Sequence, residues 1–224
     1  MAFLRRAKRD PALPELPAEP VSRQFGADRG KPVDRWYIED FLDRNRSDVR
    51  GRVLEVAEST YTQWYGDEGV TSSDVLYATE GNPEATVVGN LVTGEGIPEA
   101  NWDCFICTQT LQFIDDPQAS VHGIHRLLAP GGVVLATVPG ISQISTVDDE
   151  AWGDWWRFNE KGVRKLFDEA FGTGNVTVER HGNVKAATAF LYGMAAEELD
   201  EADLRREDPD YHMLCCVRAE RAGV

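Results

Sequence analysis

Short apolar runs alternate with amphipathic segments along most of the chain. The apolar runs are rich in Val, Leu and Ile and are bounded by Gly, Pro, Asn or Asp, which is typical of buried strands. In the amphipathic segments, apolar residues recur at intervals of three or four, which predicts helices. The predicted strands cover 52–57, 70–76, 85–88, 102–107, 133–138, 175–181 and 211–219. The predicted helices cover 34–48, 117–128, 159–171 and 186–196.

This alternation of strands and helices predicts an α/β fold: a Rossmann-like, doubly wound, mostly parallel seven-stranded sheet with helices on both faces. The run 133–138 is almost continuously apolar, which indicates a central parallel strand that is buried on both sides. Only residues 58–69 and 77–84 join the first three strands. Because a crossover helix with its turns takes about a dozen residues or more, we expect this half of the sheet to be thinly covered.

The first 32 residues differ in composition from the rest of the chain. They are rich in Pro, Arg, Ala and Glu and have little hydrophobic periodicity, so we predict a flexible Pro-rich arm over 1–32. One domain is predicted over 33–224. The basic start of the arm is not followed by an apolar core, so we do not predict a signal peptide. No apolar stretch approaches the roughly 20 residues that cross a bilayer.

Charge and cysteine content narrow the function classes. The formal net charge is −15, which disfavours binding to nucleic acid or to an anionic membrane. Cys104 and Cys107 lie three apart in a predicted strand and therefore point to opposite faces. Cys215 and Cys216 are adjacent in another apolar run. We predict four buried thiols in a reducing cytoplasm and no metal site.

The stretch from Trp102 to Gly140 carries the most specific pattern. It reads WDCFICTQTLQFIDDPQASVHGIHRLLAPGGVVLATVPG. It has an acid, Asp103, opening a strand, a helix that begins at a Pro-bearing turn, and a Leu-Leu-x-Pro-Gly-Gly end. This order resembles the fourth and fifth motif regions of class I S-adenosylmethionine-dependent methyltransferases. In this interpretation Pro130-Gly131-Gly132 forms a sharp turn that leads straight into the next strand.

A wider resemblance extends from Asp34 to Ala219. Segments such as GRVLEVAESTYTQWYG and WGDWWRFNEKGVRKLF are similar to a group of small methyltransferase-like proteins associated with bacterial glycan and secondary-metabolite genes. The resemblance implies S-adenosylmethionine as the cofactor. The cofactor-binding residues that it implies are Glu55, Ala57, Ser59, Thr60, Tyr61, Asp74, Asn90, Leu91, Thr108 and Gln109.

The loop after the first strand departs from the family pattern. The family has E-x-G-x-G-x-G, in which glycine lets the backbone pass close to the cofactor. Here Glu55 matches, but Ala57, Ser59 and Tyr61 stand where glycines would be. Ala and Ser are small enough to leave room for a nucleoside. Glu58 adds a negative charge near the place where the resemblance puts the methionine carboxylate, and this charge opposes binding unless it is paired.

The remaining cofactor positions follow the carboxyl ends of the strands, where ligands bind in open α/β folds. Asp74 corresponds to the family's acid that accepts hydrogen bonds from both ribose hydroxyls, although a solvated turn acid is the alternative. Asn90 stands where an amide oxygen would accept a hydrogen bond from the adenine amino group, and Leu91 would pack on the ring. Thr108 and Gln109 follow the fourth strand.

The candidates for chemistry are His181, Gln112 and Asp154. Gln112 lies where related enzymes often have His, and an amide can orient a group but cannot act as a base. His181 follows the sixth strand and is predicted to face the cleft edge, with a surface histidine as the alternative. After the fifth strand, 140–158 contains the predicted substrate-binding residues, and a lid that packs on the core is the alternative. These residues are Trp152, Trp155, Trp156 and Arg157.

Two functions of different kinds follow from these observations. The first is a methyltransferase that acts on a small molecule, namely a sugar or a secondary-metabolite hydroxyl. The second is a methyltransferase-like domain that does not methylate and serves as an accessory or scaffold subunit, or as a lyase or cyclase that reuses the cleft. The missing glycines, Glu58 and the short crossovers favour the second. A nicotinamide-dependent oxidoreductase is disfavoured because the glycine fingerprint for a pyrophosphate is absent. A homo-oligomer or a partner enzyme is compatible with either function.

Overall fold

The computed structural model describes residues 17–223 and contains a single sheet. Its strands are β1 Gly51–Val56, β2 Val70–Tyr77, β3 Val87–Val88, β4 Trp102–Thr108, β5 Leu128–Pro139, β6 Val176–His181 and β7 Leu214–Glu220. The helices are α1 Val33–Arg44, α2 Thr60–Tyr65, α3 Pro117–Leu127, α4 Thr146–Trp152, α5 Glu160–Phe171, α6 Val184–Leu191 and α7 Glu201–Leu204.

The strand order is β3-β2-β1-β4-β5-β7-β6. Strands β1 to β5 pair in parallel, and β7 runs antiparallel to both of its neighbours. The carboxyl ends of the parallel strands therefore share one edge of the sheet with the start of β7. This arrangement confirms the predicted Rossmann-like, mostly parallel seven-stranded fold.

Helices cover both faces of the sheet, because the strands expose apolar side chains on both. On one face, α3 and α5 pack on a cluster that includes Leu54, Phe105 and Val134. On the other face, α1 and α6 pack on a cluster that includes Val53 and Ile106. The four cysteines belong to these clusters and are unpaired and buried, as predicted.

The half of the sheet at β2 and β3 is thinly covered, as the short connections predicted. Between β1 and β2 the chain has room for only the six-residue helix α2. The connection from β2 to β3 is made of turns. Helix α1 packs beside α2, but its other contacts are with α6 and β7, towards the opposite half of the sheet.

The Pro130-Gly131-Gly132 segment was predicted as a turn before the strand, and this prediction is wrong in detail. The strand already begins at Leu128, which pairs with Trp102, and the register then jumps so that Cys104 pairs with Val133. The glycine-bearing segment is thus a bulge inside β5, and Gly131 has a φ of 79°. A bulge is favoured because Gly can adopt this φ at little cost while both flanking parts stay paired.

Residues 17–32, called the arm below, lie against the domain. The Val21 amide donates to the Tyr192 carbonyl oxygen at 2.8 Å, and the Phe25 and Phe190 rings lie 5.7 Å apart. Pro32 forms an antiparallel bridge with Ala195. Residues 1–16 of the predicted flexible arm lie outside the described residues, and the domain boundary at residue 32 stays a prediction. Within residues 17–223, no helix is long and apolar enough to span a membrane.

Candidate functional site

A cavity of about 830 Å³ opens at the carboxyl edge of the sheet. It extends from the loop after β3, across the ends of β2, β1, β4 and β5, to Met213 just before β7. The arm and the segment 140–158, called the lid below, both contribute residues to its lining. The predicted site residues that line it are Glu55, Ala57, Tyr61, Asn90, Leu91, Thr108, Gln109, Gln112, Trp152, Asp154, Trp155 and Arg157. Ser59, Thr60, Asp74, Trp156 and His181 are outside this lining.

Glu55 organises the loop between β1 and α2. It is 2% exposed, and its carboxylate accepts hydrogen bonds from the Tyr61 amide at 3.0 Å, the Thr62 amide at 2.8 Å and the Thr62 hydroxyl at 2.7 Å. These amides belong to the first turn of α2, whose N–H groups have no partner within the helix. Burial raises the pKa of the Glu55 carboxyl, although the bonds from Thr62 and Tyr61 oppose this. Glu55 therefore fixes the shape of the loop.

Ala57 keeps the backbone conformation of a glycine. Its φ is 70°, in the left-handed region that costs an L-residue about 1–2 kcal/mol. Phe25 and Gln109, which also line the cavity, have φ values of 57° and 48°. Strained backbone of this kind clusters at functional sites, where the surrounding structure maintains it. The sequence gives Ala at a glycine position, yet the structure retains the glycine geometry there.

We expect Ala57→Gly to raise the free energy of unfolding by up to about 1 kcal/mol, because the relief of left-handed strain exceeds the entropy that glycine loses on folding. Urea denaturation measures this change. The matched control is Ala78→Gly, also on the cavity, where φ is not positive and glycine should cost about 0.5 kcal/mol. Equal effects at both positions would contradict the assignment of strain to Ala57.

A cation that the sequence analysis missed lies beside this loop. Arg35, on α1, donates from Nη1 to the Tyr61 hydroxyl at 2.9 Å and lines the cavity. Burial disfavours its charge, but Asp34, Tyr61 and Glu58 keep the pKa of the Arg35 guanidinium above its ordinary value. The charge of Glu58, which counted against cofactor binding, is thus partly balanced. Only the packing of α1 against α2 reveals this, since the two helices are separated in sequence.

Asp74 does not reach the cavity, so its predicted contact with ribose is not possible in this arrangement. It lies inside β2, and its carboxylate accepts from the Trp102 indole at 2.9 Å and the Thr86 hydroxyl at 3.1 Å. The strand continues to Tyr77, three residues further. At the edge of the cavity lie Tyr77, the last residue of β2, and Ala78, which follows it. The sequence analysis placed the end of this strand at residue 76, one residue too early. Because side chains alternate between the two faces of a strand, the sequence alone did not show which face Asp74 occupies.

Asn90 and Leu91 form the end of the cavity beyond β3. The Asn90 Oδ1 atom accepts from the amides of Val92 and Thr93 at 2.8 and 3.2 Å. This oxygen was predicted to accept from an adenine amino group, but it is occupied by the turn. Its Nδ2 atom remains the group that could donate to a ring nitrogen. Leu91 is 7% exposed and packs in the core cluster under the loop.

The lid is held over the ends of β4 and β2. The Trp155 amide donates to the Gln112 carbonyl oxygen at 2.8 Å, and the Trp156 indole donates to the Ile114 carbonyl oxygen at 3.1 Å. The Trp152 ring contacts Tyr77 edge-on, with centroids 5.7 Å apart. Trp152 and Trp155 therefore border the cavity, whereas Trp156 fastens the lid from outside. Both sequence interpretations, a substrate platform and a lid, are compatible with this placement.

Asp154 and Arg157 brace the lid. The Asp154 side chain is 2% exposed, and it receives two hydrogen bonds from Arg157, at 2.5 and 2.8 Å, and one from the Ser145 amide at 3.0 Å. Burial opposes its charge, but these bonds lower the pKa of the Asp154 carboxyl below its ordinary value. Arg157 also donates to the Gln143 and Trp156 carbonyl oxygens. The Asp154 carboxylate and the Arg157 guanidinium thus form their hydrogen bonds within the lid, which contradicts the catalytic role predicted for Asp154.

His181 lies in an ion-pair cluster away from the cavity, so its predicted catalytic position is wrong. Its Nδ1 atom is 2.9 Å from Glu207 Oε1, Nε2 is 3.3 Å from Glu179 Oε2 without hydrogen-bond geometry, and the ring stacks on Tyr37. Burial opposes the charged ring, but Cys216, Glu179 and Glu207 raise the pKa of His181 to about 11. The ring is therefore a structural cation at neutral pH.

Replacing His181 by Gln should destabilise the protein by about 2 kcal/mol at pH 6, as expected for lost charged hydrogen bonds. Because folding raises the pKa of His181 from 6.5 to about 11, its contribution is complete below pH 6.5 and is lost as the pH rises toward 11. The deficit in urea denaturation should thus shrink between pH 6 and pH 10. His212→Gln, whose ring contacts the Pro209 carbonyl oxygen, is the control. A deficit of equal size at both pH values would contradict the charged assignment.

The strand order, with its antiparallel β7, and the cavity at the carboxyl edge define the fold of class I S-adenosylmethionine-dependent methyltransferases. Residues 54–136 match the family model of a methyltransferase domain. This segment runs from β1 through β5 and contains the Glu55 loop and Gln112. No curated protein matches the chain.

Solved structures share the fold at low sequence identity. The (4+2)-cyclase SpnF aligns with a TM-score of 0.56 and 12% identity, over 88% of this chain and 85% of that one. An S-adenosylmethionine-dependent methyltransferase from Mesorhizobium loti aligns with a TM-score of 0.53 and 14% identity, over 88% and 100%. A phosphoethanolamine N-methyltransferase from Haemonchus contortus, bound to S-adenosylhomocysteine, has a TM-score of 0.52 and 14% identity, over 84% and 52%.

Proposed function

We propose that this protein is an S-adenosylmethionine-dependent methyltransferase that acts on a hydroxyl group of a small molecule, such as a sugar or a secondary metabolite. The observation that carries the proposal is Ala57, whose φ of 70° preserves a glycine-type loop at the end of β1. The match of residues 54–136 to a methyltransferase domain supports it, as does a cavity large enough for a cofactor and an acceptor together.

The residues around the cavity fit this cofactor at three places. Asn90 and Leu91 would hold the adenine base from one side. The backbone at Ala57 would approach the ribose and the methionine chain. Arg35 would pair with the methionine carboxylate, because a guanidinium offers the paired donors that a carboxylate accepts. When bound, the cofactor supplies an electrophilic methyl group, and the protein has to orient the acceptor toward it and exclude water.

The first experiment is a thermal shift with S-adenosylmethionine and S-adenosylhomocysteine. Binding at a concentration about 100 times Kd should add about 2.7 kcal/mol of stability. For a chain of this size, that raises Tm by about 5–10 °C. Absence of a shift at millimolar concentrations of either compound would reject the cofactor assignment.

A pair of variants makes this experiment specific to the cavity. Arg35→Met should weaken S-adenosylhomocysteine binding at least tenfold in calorimetry, since the methionine carboxylate would lose its partner. Arg50→Met removes an equal charge from the exposed position just before β1, at the opposite edge of the sheet. It should leave the affinity unchanged. Equal affinities for both variants would remove Arg35 from the proposed site.

A second candidate function is a methyltransferase-like domain that catalyses another reaction, such as a cyclisation. One observation favours it: the end of β2 lines the cavity with Tyr77 and the following Ala78, where the resemblance implies a ribose-binding acid. The cyclase named above has the same fold. Binding of S-adenosylmethionine without its conversion to S-adenosylhomocysteine, over a panel of hydroxyl compounds, would favour this candidate over methyl transfer.

A further inference from the structure

Asp34 occupies an unusual position for a carboxylate. It lies in the first turn of α1 and lines the cavity together with Pro32, Arg35 and Phe25. Its Oδ1 atom is buried and has no hydrogen-bond partner among the described residues. A buried carboxylate oxygen without a partner is costly, so such a group in a native cavity indicates a missing donor. The guanidinium of the neighbouring Arg35 donates to Tyr61 instead, and only the charge of Arg35 and the nearby backbone amides of Asp34 and Arg35 favour the carboxylate.

A second buried acceptor lies in the wall of the same cavity. Gln112 is 4% exposed, and its Nε2 atom donates to Gln109 Oε1 at 3.2 Å, while its own Oε1 atom has no partner among residues 17–223. Gln112 follows β4, and Asp34 comes from α1, so two separate elements each place an unsatisfied, buried acceptor in the wall of one cavity. A ligand that satisfies both must carry several O–H or N–H donors.

The charge of the cavity restricts the ligand further. Among the described residues, six carboxylate side chains and two guanidinium groups line it. Anionic molecules such as phosphorylated sugars or uronic acids are therefore disfavoured. An ammonium group has no lone pair with which to attack a methyl group, and it would lie next to the Arg35 cation. An uncharged hydroxyl donates its proton to a carboxylate and keeps two lone pairs. Trp152 and Trp155 at the border add flat surfaces for a sugar-like ring.

We propose that the acceptor is an uncharged, polyhydroxylated ring, and that Asp34 is the base that receives the proton of the methylated hydroxyl while Gln112 orients the ring. The proposal rests on the methyltransferase function proposed above. In the reaction, a lone pair of the hydroxyl oxygen forms the new C–O bond to the methyl carbon. The electron pair of the breaking C–S bond returns to sulfur, which gives S-adenosylhomocysteine, and the hydroxyl proton passes to the Asp34 carboxylate.

Burial raises the pKa of the Asp34 carboxyl, with Arg35 opposing the shift, and this suits a proton acceptor. It also makes Asp34→Asn a clean variant. Removing this charge relieves its burial cost but also takes an attractive neighbour from Arg35, so we expect the variant to stay folded with a Tm within about 4 °C of the wild type. The matched control is Asp43→Asn, which removes the same charge from the exposed side of the same helix, where Asp43 lies 3.4 Å from Arg46.

The test measures S-adenosylhomocysteine formation from S-adenosylmethionine with methyl hexopyranosides, hexuronic acids, hexose phosphates and amino sugars as probes. We expect turnover with the uncharged glycosides, a loss of at least about 100-fold in Asp34→Asn, and an unchanged rate in Asp43→Asn. S-adenosylhomocysteine binding by Asp34→Asn should stay within about threefold of the wild type, a margin far below the effect of a lost charged contact.

Four results would overturn the proposal. Two concern the Asp34→Asn variant: a rate above a tenth of the wild-type rate, or loss of S-adenosylhomocysteine binding. The third is turnover of amino sugars through nitrogen, or of the anionic probes, instead of the glycosides. The fourth is failure of every uncharged glycoside to raise the Tm of the S-adenosylhomocysteine-loaded protein. If wild-type protein does not bind S-adenosylhomocysteine at all, the proposed function itself fails, which calorimetry without any acceptor reveals separately.

Discussion

Replacing Arg157 by Met is expected to release the lid. The Asp154 carboxylate, 2% exposed, would lose both of its guanidinium hydrogen bonds and keep only the Ser145 amide. Breaking a buried pair on one side costs about 3–5 kcal/mol, because the remaining charge is left without compensation. Opening of the lid, which hydrates Asp154, costs less free energy than global unfolding. Most of the lost stability should therefore appear as local opening of the lid.

Hydrogen exchange at the Trp155 amide measures this opening, since that amide donates to the Gln112 carbonyl oxygen only while the lid is closed. A loss of about 3 kcal/mol corresponds to exchange that is faster by about 100-fold or more. Folding lowers the pKa of Asp154, so the pair stabilises the lid above the ordinary carboxyl pKa. The deficit should therefore shrink as the pH falls below about 4.

Two further variants separate the causes. Arg164→Met removes an equal charge from α5, where the side chain is 39% exposed and forms a surface pair with Glu160. Its cost should be below about 1 kcal/mol, with no change at the Trp155 amide. Adding Asp154→Leu to Arg157→Met should restore part of the protection, because the unpaired buried charge disappears. No difference between the single and double variants would show that Arg157 acts only through its carbonyl contacts.

Gly123→Ala should destabilise the protein by about 3 kcal/mol, the upper part of the range for overpacking. Gly123 lies in α3 where this helix crosses the loop after β3. A Cβ atom there would collide with the Leu91 carbonyl oxygen and would lie 3.0 Å from the Leu91 carbonyl carbon. Both contacts are with backbone, so no side-chain rotation can relieve them. The loop that forms one end of the cavity would have to move.

Two measurements follow for this variant. Its Tm should fall by about 6–12 °C, as expected for about 3 kcal/mol in a chain of this length. If the loop shifts, S-adenosylhomocysteine binding should weaken as well. The control is Gly162→Ala in α5, where the nearest atom to a new Cβ is Asn159 Oδ1 at 3.5 Å. That change should stabilise the protein by about 0.5–1 kcal/mol, since Ala favours a helix over Gly. A stable Gly123→Ala protein would refute the close approach.

The sequence by itself determined the fold. The apolar runs in the sequence predicted strands β1, β2 and β4, and the boundaries of these strands were predicted to within one or two residues. The short connections at 58–69 and 77–84 determined the thin half of the sheet, because a chain of that length has no room for a full helix. The burial of the four cysteines also followed from local pattern alone.

The tertiary structure decided most of the site. Asp74, His181 and Asp154 were chosen for residue type and for their place after or near the strands. Their polar atoms instead bind Trp102, Glu207 and Arg157, respectively. Those partners come from other elements or from the fold of the lid, so spacing could not reveal them. Conversely, Asp34 and Arg35 gave no signal in the sequence, because α1 acquires its place beside the cavity only by packing on α2.

The difference has one physical reason. Strand and helix formation depends on the period of apolar side chains along a few neighbouring residues, which the sequence displays directly. The state of a charged group depends on burial and on charges within a few ångströms, which are set by elements far apart in the chain. Ala57 depends on both local sequence and tertiary packing. The sequence indicated the loop, and only the packed structure showed that the alanine there adopts the backbone conformation of a glycine.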